Sequence, residues 1–255
     1  MSKARAFIGT SGYSYKHWRG VFYPGDLKEN KWLEHYAGFL DTVELNVTFY
    51  RLPQRLAFLS WYKRTPKNFR FAVKGSRFIT HVKRLKDCAG ALSLFFSRVK
   101  LLKNKLGCVL WQLAPSFKAD PRRLETFFKR LKKYKATRQV FEFRNETWFC
   151  EKVFKILRDE GACLCSADSP DFAKDIRITS DFVYIRRHGT GATLYGGCYS
   201  RRQLERDAKI IKEHLRKKRD VYIYFNNDAR GYAVKNAMEL KKFVRGQVSS
   251  SGVVS

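Results

Sequence analysis

The sequence has few acidic residues for the number of basic residues it carries. Its 255 residues include 52 Lys and Arg against 23 Asp and Glu, which gives a formal net charge of +29. Basic disordered tails are poor in aromatics, whereas aromatic residues make up 15% of this chain, so we expect a folded protein. A surface of this charge attracts polyanions, and nucleic acid, either DNA or RNA, is the first partner to consider.

Long hydrophobic runs are also missing. No apolar stretch approaches the roughly 20 residues that a transmembrane helix needs. No signal peptide precedes the strand-like segment at residues 6–10. We therefore expect a cytoplasmic protein without a membrane partner; the sequence leaves its oligomeric state open.

Metal-binding pairs of cysteines or histidines are absent. No C-x-x-C motif joins the six cysteines, and no H-x-x-x-H or H-E-x-x-H motif joins the five histidines. Zinc sites use such pairs, so we expect buried free thiols and no cofactor. The alternative is a divalent metal on acidic residues and a histidine, but the cations close to these residues argue against it. The residues of that alternative site are Glu44, Glu142, Asp168 and His188.

Short β-rich runs alternate with stretches of helical spacing, which indicates a parallel sheet. We predict helices over 31–40, 54–64, 85–102, 121–134, 151–160, 201–218 and 233–244. The stretch 169–180 is short and poor in helix-forming residues. We predict eight strands, over residues 6–10, 42–48, 69–73, 108–113, 139–143, 162–167, 182–186 and 220–225.

Eight such units in this length predict a single (β/α)₈ TIM-like barrel, an α/β fold, over residues 1–248. Its sixth unit is expected to be irregular, and residues 249–255 are expected to be a disordered tail. An open doubly wound sheet is the second choice. It usually carries a glycine-rich phosphate loop after its first strand, but the loop here, 9–15, lacks the third glycine.

Polar residues interrupt strands that should be apolar. Central strands of a parallel sheet are normally continuous hydrophobic runs, but here seven of the eight end in polar side chains. Alternating positions share one face of a strand, so these side chains point into the predicted barrel, near the strand ends where barrels place their chemistry. Inter-strand ion pairs are the simpler explanation, but burying this many charges without a function is costly.

This set contains the candidate catalytic residues Glu44, Glu142, Asp168 and His188. A carboxylate without a neighbouring cation could serve as a general base, and the sequence does not identify which carboxylate that is. The candidate substrate-binding residues are polar or aromatic side chains at the strand ends and in the loops that follow. They are Asn46, Tyr50, Lys74, His81, Gln112, Arg144, Trp148, Arg186 and Asn226.

Aromatic residues cluster in the same loops, where they either cap the barrel as core or form a platform for unpaired bases. The candidate stacking residues are Tyr13 and Trp18. The loop 188–192 is a weak candidate for a phosphate cradle. Two basic runs, 118–138 and 201–219, are either solvated helix faces or a path for a phosphate backbone.

An ordered set of motifs resembles the YecE-like family, also known as domain of unknown function 72. The resemblance extends from about residue 6 to residue 240 and departs from the family pattern at Ala114, where a second proline is usual. The motifs that carry it are 8–15 with Trp18, 42–46 with 48–51, 71–74 with 79–81, 112–115, 142–144 with Trp148, 187–189 and 224–227.

The resemblance implies a TIM-like barrel but no agreed activity. Nucleic-acid or nucleotide binding, by analogy with barrel endonucleases of DNA repair, rests on fold comparison alone. The metal-rich pocket of those endonucleases is not evident in this sequence.

Three functions stay open. The first is a hydrolase or glycosylase that acts on single-stranded or damaged nucleic acid. Its cations would hold phosphate, an aromatic ring would stack on a base, Glu142 or Asp168 would activate water, and His188 would donate a proton. The second is a DNA- or RNA-binding module without chemistry. The third is an enzyme for a small phosphorylated or carboxylated metabolite.

Overall fold

The computed structural model describes residues 3–168, 177–190 and 196–246. Eight parallel strands form one closed barrel in chain order, and β1 pairs with both β2 and β8 to close it. The strands are β1 (Ala6–Ser11), β2 (Thr42–Leu45), β3 (Arg70–Lys74), β4 (Leu106–Gln112), β5 (Arg138–Glu142), β6 (Cys163–Ala167), β7 (Phe182–Arg187) and β8 (Asp220–Phe225).

Helices surround the barrel between successive strands. They are α1 (Trp32–Phe39), α2 (Val47–Tyr50), α3 (Arg55–Lys63), α4 (Ala89–Val99), α5 (Pro121–Leu131), α6 (Glu151–Asp159), α7 (Arg201–Arg216) and α8 (Tyr232–Arg245). This order confirms the predicted (β/α)₈ TIM-like barrel. No helix among the described residues is long and apolar enough to cross a membrane.

Most predicted elements differ from the observed ones by one to four residues at an end, and two of these differences have a clear backbone cause. β2 ends at Leu45 because Asn46 adopts a helical backbone (φ −90°, ψ −19°) and leads directly into α2. α4 begins at Ala89 and not at Leu85, because Arg84, Leu85 and Asp87 have φ of 46°, 67° and 44°. Such left-handed residues cannot continue a right-handed helix.

The sixth unit lies partly outside the described residues. Within it, residues 177–181 between β6 and β7 form no helix. Residues 169–176 of the stretch predicted to be irregular, and all of the predicted tail 249–255, fall outside the described ranges.

The core has two layers. The outer layer packs the helices against the barrel. α5, for example, buries Leu124, Phe127, Phe128 and Leu131 at the i, i+3, i+4, i+7 spacing of one helix face. The inner layer fills the barrel with side chains from alternate strand positions, namely Phe7, Ala72, Cys108, Leu110, Val140, Cys163, Cys165, Phe182, Tyr184, Tyr222 and Tyr224.

All six cysteines are free thiols. Four are buried, as expected, whereas Cys150 is exposed and Cys198 is partly exposed. Cys163 and Cys165 both lie in the inner layer, where burial raises the pKa of each thiol. These thiols therefore act as small apolar core residues.

Candidate functional site

The carboxyl-terminal ends of the strands place polar side chains above the apolar inner layer. These residues continue the inward-facing alternation of their strands, so period-two geometry brings them to one end of the barrel. The charged members are buried. The set is Ser11, Glu44, Lys74, Gln112, Glu142 and Arg186, which we call the polar layer.

Arg186 joins two carboxylates from opposite sides of the barrel. Its Nη2 donates to Glu44 Oε1 at 2.7 Å, and its Nη1 donates to Glu142 Oε2 at 2.8 Å. Glu44 also accepts hydrogen bonds from Tyr184 Oη at 2.6 Å and Ser11 Oγ at 2.8 Å. Burial raises the pKa of Glu44, but Arg186 and Tyr184 outweigh burial and lower the pKa overall. Glu44 is therefore ionised.

Glu142 contacts three neighbouring side chains, those of Arg186, Arg144 and Gln112. Arg144 forms a second ion pair with its Oε1, and Gln112 Nε2 donates to the same oxygen at 3.0 Å. Burial opposes ionisation, but Arg144 and Arg186 together lower the pKa of Glu142 well below its ordinary value. A carboxylate stabilised in this way is a weak base, and it serves better as an electrostatic anchor than as a proton acceptor.

His188 lies beside this ion-pair network. Its Nε2 is 3.1 Å from Arg144 Nη2 and 3.8 Å from Glu142 Oε1, and its Nδ1 is 3.2 Å from Asn226 Nδ2. Burial lowers the pKa of His188, and Glu142 only partly offsets this. The imidazole is therefore neutral at pH 7 and able to accept a proton.

Lys74 connects the polar layer to the rim of the barrel. Its Nζ lies 4.2 Å from the centre of the Phe49 ring. Phe49 in turn contacts Tyr50 and His81, each with ring centres 5.0 Å apart. Burial, followed by the charge of Arg186, lowers the pKa of Lys74 to about 8.

The mouth of the barrel is electrically positive. Burial lowers the pKa of His81 to about 4, and four cations around it act in the same direction. These cations are Lys74, Arg77, Arg144 and Arg84. A neutral His81 in a cationic setting indicates a potential that attracts anions.

Asp168 binds the start of the loop that follows β7. It accepts a hydrogen bond from the His188 backbone N–H at 2.8 Å and from Tyr199 Oη at 2.6 Å. Arg187 Nη1 lies 3.7 Å from it and also pairs with Asp207 on α7. These contacts give Asp168 a positioning function for His188.

Three aromatic candidates lie within the core. Trp18 and Trp148 are fully buried, with Trp18 Nε1 donating to Asp228 at 2.7 Å and the Trp148 ring stacked on Phe143 at 4.8 Å. Tyr13 is partly buried, and its hydroxyl accepts from Trp61 Nε1 at 3.1 Å. Tyr50 is different, because 79% of it is exposed at the rim.

Asn46 and Asn226 complete the predicted set. The Asn46 Oδ1 is buried without a hydrogen-bond partner among the described residues. Asn226 contacts His188, as above. In the predicted phosphate cradle, residues 191 and 192 are outside the described ranges.

The polar network contains residues outside the candidate site residues predicted from the sequence. Ser11 and Phe49 contact Glu44 and Lys74, while Arg187 and Tyr199 contact Asp168. Ser11 ends β1 on its inward face, which is the same period-two signal that identified Glu44. Nothing in the sequence pairs Tyr199 with Asp168.

The described residues contain no group of three or more His, Cys, Asp or Glu arranged to hold a metal ion. The acids of the polar layer are bound to arginines and not to one another. The carboxylate oxygens that could bind a metal ion are therefore already engaged by cations of the chain itself.

A basic path leads from the mouth to α5. Arg84, in the loop after β3, and Arg123, on α5, both lie over the Phe117 ring, at 5.9 and 5.4 Å from its centre. Arg123 also pairs with Asp120 at 3.0 Å. The loop after β3 is thereby joined to the basic run 118–138 across the adjacent loop.

Known proteins resemble this chain over nearly its whole length. A family model described as "Protein of unknown function DUF72" matches residues 7–252. The UPF0759 protein YunF of Bacillus subtilis is 26% identical, covering 92% of this chain and 93% of its own. The crystal structure of a DUF72 family protein from Thermotoga maritima is 30% identical, with a TM-score of 0.83, covering 94% of this chain and 99% of the other.

A second solved structure agrees in fold. A DUF72 family protein from Enterococcus faecalis superposes with a TM-score of 0.79 at 19% identity, covering 96% of each chain. At this identity the likeness concerns the fold alone.

Proposed function

This chain belongs to the DUF72 family, whose function is unknown, and we propose that it is an enzyme acting on single-stranded or damaged nucleic acid at the carboxyl-terminal face of its barrel. The observation that carries the proposal is the buried polar layer, which opens onto a rim of exposed aromatic side chains and cations. Burying paired charges costs stability, so a polar layer at the end where barrels place their active sites favours a functional explanation.

The rim has the composition of a surface that binds single strands. Tyr50 and Phe78 present exposed rings on the loops after β2 and β3. Arg51, Arg77 and Lys83 are exposed on the same two loops. Aromatic rings stack on unpaired bases without regard to sequence, and neighbouring cations bind the phosphates between them.

The length of the basic path favours a polymer over a small metabolite. A metabolite needs only a compact anion site, whereas the cations here continue from Lys74 through Arg84 to Arg123. Several successive phosphates could be bound along this path, and each phosphate contact adds to the affinity for a polyanion.

The proposed chemistry is hydrolysis, with His188 as the proton acceptor. Its neutral imidazole would take a proton from water as the water oxygen bonds to the sugar carbon and the bond to the base breaks, or as it bonds to phosphorus and the bond to the leaving sugar oxygen breaks. Arg144 would stabilise the negative charge that develops. Glu142 would keep Arg144 and Arg186 in place. This differs from the expectation that Glu142 or Asp168 activates water. Arg144 and Arg186 lower the pKa of Glu142 and make it a weak base, and Asp168 accepts hydrogen bonds from the His188 backbone and from Tyr199.

A panel of labelled single- and double-stranded DNA and RNA, including damaged bases, tests the proposal with and without divalent metals. We expect retention of single strands that weakens with salt, together with a cleaved or base-free product. His188→Asn should abolish product while retaining binding, whereas His214→Asn, on α7, should change neither.

Three outcomes count against the proposal. Binding without product from any oligonucleotide would support a binding module and overturn the enzymatic activity. Full turnover by His188→Asn would remove the assigned base. The absence of any retention at low salt would overturn nucleic acid as the substrate and favour the metabolite.

A further inference from the structure

Lys74 differs from the other cations of the site in its contacts. Arg144, Arg186 and Arg187 each form an ion pair with a carboxylate. For Lys74, the described residues place no carboxylate oxygen within 4.0 Å of Nζ and no hydrogen-bond acceptor within 3.5 Å. Its Nζ lies instead over the face of the Phe49 ring, 4.2 Å from the ring centre.

A buried lysine with a structural function has different surroundings in this same protein. Lys105 Nζ donates to Tyr62 O at 2.6 Å, Thr65 O at 2.6 Å and Thr65 Oγ1 at 3.1 Å. All three ammonium protons of Lys105 are therefore used. The comparison indicates that the amine of Lys74 is not placed to hold the fold together.

The surroundings of Lys74 favour the neutral amine. The side chain is buried at the end of β3, and this burial, together with Arg186 and Arg144, lowers the pKa of its amine. Glu142 and Glu44 act in the opposite direction and offset this only in part. Desolvation and neighbouring cations are the two means by which proteins turn a lysine into a nucleophile at neutral pH. A pKa of about 8 leaves a useful fraction of the amine unprotonated at pH 7.

We propose that Lys74 Nζ is a nucleophile that forms an imine with an aldehyde carbon of the substrate. The aldehyde that the proposed function supplies is the C1′ of a deoxyribose that has lost its base, and this choice of substrate rests on that function. The amine lone pair attacks the carbonyl carbon and forms a carbinolamine. The carbinolamine then loses its oxygen as water, which gives C=N, and no oxidant or reductant is consumed.

Reductive trapping tests the proposal on the complete chain. The protein is incubated with sodium cyanoborohydride and either 2-deoxyribose 5-phosphate or an oligonucleotide with one abasic site. Peptide mass spectrometry then locates the adduct. We expect both probes to label Lys74, with a trapping rate that rises as the pH passes through about 8, where half of the amine is unprotonated.

Two variants make the experiment specific. Lys74→Arg keeps the charge but removes the nucleophile, so the adduct at this position should disappear. Lys105→Arg is the matched control, because Lys105 is also buried but its protons are engaged, and trapping should persist in it. If Lys74→Arg does not fold, peptide mapping of the adduct in the protein of native sequence still shows whether Lys74 is the labelled residue.

The two probes test the assignment of the nucleophile and the choice of substrate separately. Labelling confined to exposed lysines, or equal total labelling in Lys74→Arg, overturns the assignment of Lys74. Labelling of Lys74 by the sugar phosphate but not by the oligonucleotide supports the nucleophile and overturns the nucleic-acid substrate. Oligonucleotide turnover without any adduct at Lys74 overturns the nucleophile and leaves the proposed function in place.

Discussion

At the scale of single residues, the chemistry of this protein depends on which charges are paired. Arg186 pairs with both Glu44 and Glu142, and Arg144 pairs with Glu142 as well, so both carboxylates stay ionised although they are buried. Lys74 and His188 are instead driven toward their neutral forms by burial. The neighbours of each group thereby divide the buried polar side chains of the site into fixed charges and groups that can exchange protons.

Removing Arg186 should strongly destabilise the protein. Arg186→Met leaves two buried carboxylates without their shared cation, and breaking a buried pair typically costs about 3–5 kcal/mol. We expect a loss of this size in the free energy of unfolding by urea. Adding Glu44→Gln should recover part of the loss, and equal stability of the native protein and Arg186→Met would contradict this account of the network.

His81 should make stability depend on pH. Its pKa is lowered from an ordinary value of 6.5 to about 4 in the folded state, so the unfolded chain binds the proton more tightly. The stabilisation is complete above pH 6.5 and is lost as the pH falls toward 4. The thermal midpoint should therefore fall less steeply over this range in His81→Asn than in the native protein, and parallel curves would count against the assigned shift.

At the scale of secondary-structure elements, the ends of β2 and β3 shape the mouth. α2 follows β2 after a single residue, and a π-helical turn, Phe78–Val82, follows β3. Such π-helical turns are frequent at functional sites. Together these two elements present the exposed rings of Tyr50 and Phe78 at the mouth, where Phe49 connects Tyr50 to the buried Lys74.

The position after Lys74 tolerates only a glycine. A Cβ on Gly75 would lie 2.3 Å from Cε3 of the buried Trp111. Gly75→Ala should therefore cost about 1–3 kcal/mol, as overpacking of a core usually does. Gly90→Ala, on α4 with open space around its Cβ, should instead stabilise by about 0.5–1 kcal/mol. Thermal unfolding of both variants checks the contrast.

Tyr50 should contribute to the binding of single strands. Stacking on an aromatic ring is worth about 1–3 kcal/mol per base, so Tyr50→Ala should weaken binding roughly 5- to 150-fold. Leu56→Ala is the control, since Leu56 is 74% exposed on α3 but is not part of the rim. Fluorescence anisotropy with a labelled single strand measures both, and equal affinities would exclude Tyr50 from the interface.

At the scale of the whole molecule, the excess of positive charge is divided between the mouth and the outer helices. Exposed cations on α7 include Arg202 and Arg206, whereas Arg84 and Arg123 lie on the basic path. Net charge alone attracts any polyanion. The position of the cations decides which of them contact a bound strand.

Salt dependence should distinguish the two groups of cations. Each phosphate contact with a single strand contributes about 0.7 to the slope of log affinity against log salt. The double variant Arg84→Gln with Arg123→Gln should reduce the slope by roughly 1.4. The double variant Arg202→Gln with Arg206→Gln should leave it unchanged. The reverse pattern would indicate that the bound nucleic-acid strand lies along α7.

The barrel and the composition of its polar end were predictable from the amino-acid sequence. Strand and helix periodicities are local properties, so eight strands and the face of each polar residue could be read from neighbouring positions. Glu44, Lys74, Glu142 and Arg186 were found this way. The exact ends of β2 and α4 were not, because they depend on the backbone of single loop residues.

Which of these residues contact one another depends on the closed barrel and was not predictable from the sequence. Arg186 reaches Glu44 across 142 positions of sequence, and no local pattern encodes such a pair. Burial likewise assigned Trp18 and Trp148 to the core and left Tyr50 exposed. The charge state of each group follows from these contacts, because a pKa depends on desolvation and on neighbouring charges that the closing of the barrel brings together.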